Sequence, residues 1–390
     1  MPLLRKHVLF FSNSAPRPSQ LLSLHIAARV LAPRRMLYLH TAHRRHHHHH
    51  HHYNMSELVA PTPTRAGDGA AAAAAASGAG NPAVQPVAEL AGERASPPPA
   101  TFSAVINIKC PDQTGVVAAV AHLLHGYGIN IVETDQFTDP FSSVYFQRLK
   151  VDYTLMTIGA ANTGVMEQAL HELAGRYKME WSITYRNRKQ KLAILVSKDD
   201  HCLYDLLIRH RSGELDCEVS TIISNHDKLR TVADMFGIPF VHLPIPPKDQ
   251  GGKRVQEIQI EEILEKESID LVVLARYMQI LTKDFCDKHW KHTINIHHSF
   301  LPAFMGAKPY HKAHARGVKI IGATAHYATT DLDAGPIIEQ DVTRISHSDS
   351  VADMIRKGRD LERLVLARAV RWHLASAVLV EGNKTVVFMS

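Results

Sequence analysis

Alternating apolar and polar positions begin at residue 102 and predict a small βαββαβ unit over residues 102 to 188. "TFSAVINIKC" alternates as a strand does, and "PDQTG" has the residue types of a turn. "VVAAVAHLLHGYG" has the periodicity of a helix that ends at Gly128. Two further strands, a helix in "VMEQALHELAGRY" and a last strand in "EWSITYR" follow. This order predicts an open-faced sheet with two helices on one side.

From Lys191 onward the pattern changes to short apolar runs that alternate with amphipathic stretches. Runs such as "KLAILVS", "EVSTIIS", "LVVLA" and "TINIH" are typical of buried strands, and "DLLIRHR" and "KLRTVADMFG" of helices. Residues 191 to 390 are therefore predicted to form a doubly wound α/β sheet, mostly parallel, ending in a long helix from "SVADMIRK" onward. Such sheets bind ligands beyond the carboxyl ends of their strands.

Polar residues interrupt one of these predicted strands, in "TINIHHSFLPAF". Side chains two apart share a face of a strand, so Asn295 and His297 should project together while His298 points away. An amide and an imidazole can together stabilise an oxyanion and move a proton. Either Asp331 or Asp333, in "TTDLDAGPII", could orient the imidazole or a water. The trio would suit attack on a carbonyl-like carbon with neither a covalent nucleophile nor a metal.

The first 101 residues have the composition of a leader and a linker. Residues 1 to 56 contain eight Arg or Lys and no acid, which predicts a mitochondrial transit peptide, with a plastid leader or an unaddressed tail of a cytoplasmic protein as alternatives. Residues 57 to 101 are rich in Pro, Ala and Gly and predict a disordered linker. The seven histidines at 46 to 52 are typical of a tag or low-complexity tract and are given no function.

Charge and cysteine content exclude several other classes of function. The net charge is +6, of which residues 1 to 56 contribute +8, so the remaining chain carries about −2 and predicts no nucleic-acid surface. Four widely spaced cysteines fit neither a disulfide framework nor a paired-cysteine metal site. His311 and His314 could join the histidines near residue 297 around a metal, but no metal-site motif supports this, and no metal is predicted.

Several motifs resemble the 10-formyltetrahydrofolate deformylase family, in the order in which that family has them. They are "LVSKDDHCLYDLL", "VVLARYMQIL", "INIHHSFLPAF", "GAKPYHKAHARGVKIIGATAHY", "LDAGPIIEQDV" and "GNKTVVF". The resemblance covers roughly Phe102 to Phe388. It implies an ACT-like regulatory domain over residues 102 to 188 and a catalytic domain similar to folate-dependent formyltransferases over residues 191 to 390.

The resemblance also implies an activity and its residues. Folate formyltransferases use an Asn-x-His pair with an Asp in a Leu-Asp-small-Gly-Pro turn, which correspond here to Asn295, His297 and Asp333. Asn295 and His297 would stabilise the oxyanion formed when water attacks the formyl carbon, and Asp333 would orient His297 and the water. The expected enzyme is a hydrolase of one-carbon metabolism and purine biosynthesis that releases formate and tetrahydrofolate and needs no cofactor.

Ligand-binding residues follow from the same resemblance. The folate is expected to contact Tyr277, Met278, Gln279 and Leu281, together with Gly335 of the Asp333 turn. In the ACT-like domain, an amino-acid effector such as glycine or methionine is expected at three residues: Asp112, Gly115 and Asn130. The alternative is that this domain only assembles a homo-oligomer.

Two other functions remain compatible with an intact trio. The chain could pass the formyl group to an amine, as a transferase, or it could be a non-catalytic sensor of folate or amino acids. Glycinamide ribonucleotide formyltransferases have a glycine-rich turn after the first strand, whereas "SKDDHC" places Asp199 and Asp200 there, which would repel a phosphorylated acceptor. His298 stands where transferases usually have proline and could shape the water site or serve only structure.

Overall fold

The computed structural model describes residues 102 to 247, 252 to 303, 306 and 308 to 389. The leader and the linker predicted for residues 1 to 101 lie outside these residues, so both stay predictions. Among the described residues, no helix combines the length and the apolar character that crossing a membrane requires.

Residues 103 to 185 form four strands and two helices in the predicted order βαββαβ. These are β1 (Ser103–Pro111), α1 (Val116–Gly126), β2 (Asn130–Asp139), β3 (Val144–Asp152), α2 (Thr163–Tyr177) and β4 (Glu180–Tyr185). The strands lie in the order β2-β3-β1-β4, and every neighbouring pair is antiparallel.

Periodicity explains how the two helices cover one face of this sheet. Ile106 and Ile108 of β1 point to the same side and are fully buried, as a period of two requires. On α1, Val116, Val120 and Leu124 are spaced four apart and are buried in the same cluster. The hydrophobic core of this unit therefore lies between the helices and one face of the sheet.

Residues 190 to 387 form a second, larger unit around a seven-stranded sheet. Its sheet strands are β5 (Gln190–Val196), β6 (Cys217–Ser224), β7 (Phe240–His242), β8 (Leu271–Leu274), β9 (Thr293–His297), β10 (Ile320–Tyr327) and β11 (Ile337–Arg344). Its helices are α3 (His201–Arg211), α4 (Arg230–Phe236), α5 (Gly252–Lys266), α6 (Lys283–Lys288), α7 (Pro309–Arg316) and α8 (Val351–Leu374), with a 3₁₀ turn at Asp227–Leu229.

The strand order of this sheet is β11-β10-β9-β8-β5-β6-β7. The five strands from β5 to β9 pair in parallel, and β10 and β11 are antiparallel additions at one edge. The chain winds from β5 toward β7 in one direction and from β8 toward β9 in the other. The carboxyl ends of β5 and β8 therefore flank the point where the strand order reverses, which is where such sheets form a crevice.

Helix α8 packs against β9, β10 and β11 of the sheet. Its N-terminus has a capping box in which Ser350 Oγ accepts from the Asp353 backbone and the Asp353 carboxylate accepts from the Ser350 backbone. Val365, Leu366 and Val370 are fully buried in the main core. A hairpin that the sequence reading did not include follows, β12 (Val378–Glu381) and β13 (Lys384–Val387).

The two units contact each other through polar groups near the end of α8. Asn107 Nδ2 donates to the Ser376 carbonyl at 2.9 Å, and Arg186 donates to the Leu374 carbonyl at 2.6 Å. Lys109 forms an ion pair at 2.8 Å with Glu381 of the C-terminal hairpin. The face of the small sheet that the helices leave open therefore docks on the segment after α8.

Candidate active site

Strand β9 carries both of its predicted polar residues into one cavity. Asn295 and His297 line a cavity of about 340 Å³ at the carboxyl end of the strand. Their neighbours Ile294 and Ile296 are buried in the main core. The hydrophobic residues thus anchor the strand in the core, and its last residues place an amide and an imidazole at the carboxyl end of the sheet.

The prediction that His298 points away from this cavity is wrong. His298 also lines it, and its ring lies 5.1 Å from the ring of His297. Strand β9 ends at His297, so the alternation of faces no longer applies at the next residue. His298 therefore belongs to the wall of the site.

His297 is oriented by a carboxylate from the turn after β10. His297 Nδ1 lies 3.0 Å from Asp333 Oδ1, and the two side chains are only 6% and 7% exposed. Burial alone would raise the pKa of the Asp333 carboxyl, but hydrogen bonding to His297, the nearby imidazoles and the Gly306 amide lower it overall. An ionised Asp333 accepts from Nδ1–H, which leaves His297 Nε2 buried and without a hydrogen-bond partner among the described residues.

The sequence pattern left Asp331 and Asp333 as alternatives for the acid beside His297, and the structure distinguishes them. Asp333 adopts a left-handed backbone conformation, with φ 58°, that turns its carboxylate toward His297. Asp331 is exposed, and its backbone carbonyl accepts from the Thr329 hydroxyl. Asp333 is the one of the two that contacts the strand.

Asn295 is oriented in turn by His326 on β10. His326 Nδ1 lies 2.9 Å from the Tyr327 carbonyl, so this nitrogen carries the proton. His326 Nε2 is then an acceptor, and it lies 3.2 Å from Asn295 Nδ2. Burial lowers the pKa of His326, which keeps the ring neutral and able to accept. His326 lies opposite Asn295 across the two strands, and it therefore fixes the orientation of the amide.

Four of the five predicted folate residues line the same cavity. They are Tyr277, Met278, Gln279 and Leu281, on the segment that follows β8. Tyr277 is 5% exposed and donates from its hydroxyl to Gln256, whereas Met278 is 54% exposed at the cavity mouth. This segment supplies an anchored aromatic residue and an exposed apolar surface, which suits the flat ring of a ligand.

Gly335 does not line the cavity; it lies under the end of β10. A Cβ at this position would lie 1.8 Å from the Tyr327 carbonyl oxygen and 3.2 Å from His326 Nδ1. Only glycine lets the turn that carries Asp333 approach the strand this closely. Its place in the structure is a close backbone contact beneath the site.

We expect Gly335→Ala to destabilise the protein because the added methyl must push the turn away from β10. The loss should be about 3 kcal/mol of unfolding free energy, which urea denaturation would measure. Gly164→Ala is the matched control, since a Cβ there meets no atom within 4 Å. Equal stability of the two variants would contradict this account of the turn.

The three predicted effector residues are not brought together within one chain. Asp112 and Gly115 follow the carboxyl end of β1, whereas Asn130 pairs through Asp152 with Ser103 at the opposite end of that strand. A strand of nine residues spans roughly 27 Å. One chain alone therefore offers two separate halves of the predicted effector site.

Among the described residues, one group has the spacing of a metal site, and it lies behind the cavity. It consists of His201, Cys202 and Glu362. Glu362 already accepts from His201 at 2.8 Å and from Tyr310 at 2.7 Å, with Arg276 Nε at 3.4 Å. A guanidinium beside the carboxylate makes this a hydrogen-bonded ion-pair network rather than a set of free metal ligands. His311 and His314 do not belong to this group.

Because two histidines are partly buried, we predict that the protein loses stability in acid. Burial lowers the pKa of His298 to about 4, helped by the nearby Arg276 charge, and burial likewise lowers the pKa of His373 to about 4. Between an ordinary histidine pKa near 6.5 and this value, the unfolded chain binds more protons than the folded one. The stability is complete above about pH 6.5 and falls toward pH 4, by about 1.4 kcal/mol per pH unit for each histidine.

Urea denaturation from about pH 7 to about pH 5 measures this slope. His298→Gln should show a shallower decline than the wild type, because one of the two protons no longer distinguishes the folded from the unfolded state. A slope that is identical in the variant and the wild type would mean that His298 does not titrate in this way.

Comparison with known proteins first defines the class of the larger unit. Residues 190 to 370 match the family model described as formyl transferase. This range includes β9, the Asp333 turn and the segment after β8, so the residues that form the cavity all lie within it.

Full-length relatives then define the family. The chain is 52% identical over 287 residues to the formyltetrahydrofolate deformylase of Synechocystis, covering 74% of this chain and 99% of that protein. It is 45% identical to the Bacillus subtilis deformylase, covering 72% of this chain and 92% of the relative. A crystal structure of the Pseudomonas syringae deformylase matches with a TM-score of 0.70 and 43% identity, over 75% of this chain and 96% of that one. The chain belongs to the formyltetrahydrofolate deformylase family.

Proposed function

We propose that this chain hydrolyses 10-formyltetrahydrofolate to formate and tetrahydrofolate, as its relatives' names describe. The observation that supports this most is His297, whose Nδ1 is held by Asp333 while its buried Nε2 has no partner among the described residues. His297 Nε2 can therefore form a hydrogen bond with a substrate atom. Asn295 lines the same cavity and directs a second polar group to it.

In the proposed reaction, the oxygen of a water molecule attacks the formyl carbon. The carbonyl oxygen becomes an oxyanion that accepts from the Asn295 amide and from His297. Asp333 keeps His297 in the required orientation and helps to position and deprotonate the water. The bond between the formyl carbon and the folate nitrogen then breaks, the nitrogen takes up a proton, and formate is released.

The thiol among the described residues that line the cavity is a poor candidate for a covalent intermediate. Among the described residues that line it, the thiol is that of Cys286, and burial raises its pKa to about 11. A protonated thiol is a poor nucleophile. Direct attack by water is therefore the simpler route for this set of residues.

The test is to incubate the full chain with 10-formyltetrahydrofolate and no amine, and to assay formate and tetrahydrofolate together. Release of both in equal amounts supports the proposal. Folate binding without release would point to the two alternatives, a transferase that lacks its acceptor or a sensor. Addition of amines then separates these, because a transferase would form the corresponding formamide.

The small N-terminal unit is proposed to be an ACT-like regulatory domain. Its βαββαβ order and its exposed edge strand β2, with Val132 56% and Phe137 44% exposed, support pairing with a second copy. Antiparallel pairing of two β2 edges would place Asn130 of one chain near Asp112 of the other, completing the predicted effector site. Light scattering should then show a homo-oligomer, and glycine or methionine should change the rate of formate release in the wild type but not in Asp112→Ala.

The mitochondrial address is proposed on the composition of residues 1 to 56 alone. The relatives described above come from bacteria and lend it no support. Import of a fluorescent protein fused to these residues would test it.

A further inference from the structure

An ion pair lies at the switch point of the large sheet. Asp199 lies in the turn after β5, and Arg276 lies just after β8, so the two residues stand at the carboxyl ends of the strands that flank the reversal. Arg276 Nη2 lies 3.0 Å from Asp199 Oδ2, and Arg359 holds the other oxygen at 3.4 Å. The place that this topology usually offers to a ligand is occupied by protein side chains.

A second, buried carboxylate fixes the guanidinium from behind. Glu362 is 1% exposed, and it lies 3.4 Å from Arg276 Nε. Its remaining hydrogen bonds come from His201 and Tyr310. A carboxylate with three partners holds its position, and the Arg276 side chain, only 12% exposed, is thereby locked between two acids.

The backbone at Arg276 is also held in an unusual conformation. Arg276 has φ 64°, in the left-handed region that residues with a Cβ adopt rarely and at an energetic cost. The next turn is tied to β5, because the Met278 amide donates to Ser197 Oγ at 3.0 Å and Ser197 donates to Asn225. Such a conformation persists where the surroundings enforce it, which these contacts do.

Arg276 lines the same cavity as His297 and His298. Its locked guanidinium therefore closes the side of the site that faces the β5 turn, next to the residues that would surround the formyl carbon. Water needs less space beside His297 than an amine does, and the Arg276 side chain takes up volume in the wall of this cavity.

We propose that Arg276, locked by Asp199 and Glu362 in the switch-point crevice, determines acceptor specificity by excluding primary amines and leaving water as the acceptor. This inference rests on the proposed hydrolysis and deepens it. When Arg276 is removed, the nitrogen of an amine can attack the formyl carbon in place of water. The bond to the folate nitrogen breaks as before, the amine loses a proton, the folate nitrogen gains one, and the products are a formamide and tetrahydrofolate.

The test compares the wild type with Arg276→Gly, full chain, in the presence of 10-formyltetrahydrofolate and glycinamide. Glycine suits the left-handed backbone and empties the crevice. We expect the variant to form N-formylglycinamide on the order of ten-fold faster than the reaction without enzyme. The wild type should form it no faster than the reaction without enzyme. Product identity is a readout that loss of stability alone would not produce.

Two controls define the result. Arg276→Lys keeps the crevice filled and should not transfer the formyl group. Arg359→Ala removes the other partner of Asp199 without opening the cavity, which Arg359 does not line, and should behave likewise. If Arg276→Gly is unstable by circular dichroism, Arg276→Gly with Glu362→Gln takes its place, because it removes the buried charge that has lost its guanidinium.

The outcomes separate the inference from the proposed function. A folded glycine variant that binds folate but forms no N-formylglycinamide at any glycinamide concentration overturns the inference. Transfer to glycinamide by the wild type overturns it as well. Failure of the wild type to release formate without an amine overturns the proposed hydrolysis itself.

Discussion

Replacing His297 with alanine is expected to slow formate release about 10³-fold, which corresponds to about 4 kcal/mol of transition-state stabilisation. His297 would donate a hydrogen bond to the oxyanion, and it also holds the Asp333 carboxylate that would position the water. The proposed ring contacts of the substrate, on the segment after β8, would remain intact in the variant. The loss should therefore fall on kcat, with KM changed little, and steady-state assays of formate measure both.

His314→Ala is the matched control because it removes an imidazole from the exposed face of α7. It should release formate at the wild-type rate. Thermal melts of both variants separate a catalytic loss from a folding loss. An His297→Ala variant that is folded and retains more than about a tenth of the wild-type kcat would be incompatible with the proposed role.

Local periodicity explains why the pair on β9 could be predicted from sequence. The strand is short and bounded, its apolar residues alternate with Asn295 and His297, and the two polar side chains reach the same cavity. The same rule misplaced His298, because the sequence does not show that the strand ends at His297. Boundaries depend on the hydrogen bonds of the whole sheet, which a single segment does not reveal.

The partners of these residues required the fold. Asp333 reaches His297 only because β10 returns antiparallel to β9 and the turn after it approaches closely at Gly335. His326 lies opposite Asn295 through the register of the same two strands. No periodicity links residues on different strands, so the residues alone left Asp331 and Asp333 as equal choices, and only the family resemblance favoured Asp333.

The crevice shows the limit of sequence reasoning more sharply. Arg276 follows a strand end, which is a weak local signal for a site residue, and the sequence analysis assigned its neighbours to folate but gave it no part. Glu362 looks like one more polar position on a long helix. Its burial to 1% exposure depends on the packing of α8 against α3 and α7, and only that packing reveals why the charge is present.

Asp333→Asn is expected to lower kcat by about 10²- to 10³-fold while leaving the fold intact. Asparagine has the same shape, but it lacks the negative charge that the proposed reaction uses to position and deprotonate the water, and its amide can turn to donate to His297 Nδ1. In that arrangement His297 loses the carboxylate that orients it toward the oxyanion, and no carboxylate is left to position and deprotonate the attacking water. Formate release in single turnovers measures this loss on the chemical step.

Asp331→Asn makes the same chemical change two residues away, in the same turn, at an exposed side chain without a contact to His297. This variant should keep the wild-type rate, and the contrast between the two asparagines isolates the effect of the His297 contact. Equal rates for Asp333→Asn and the wild type would remove the carboxylate from the mechanism. The water would then have to be positioned by Asn295 and His297 alone. The ionised Asp333 carboxylate would serve only to hold the turn against His297.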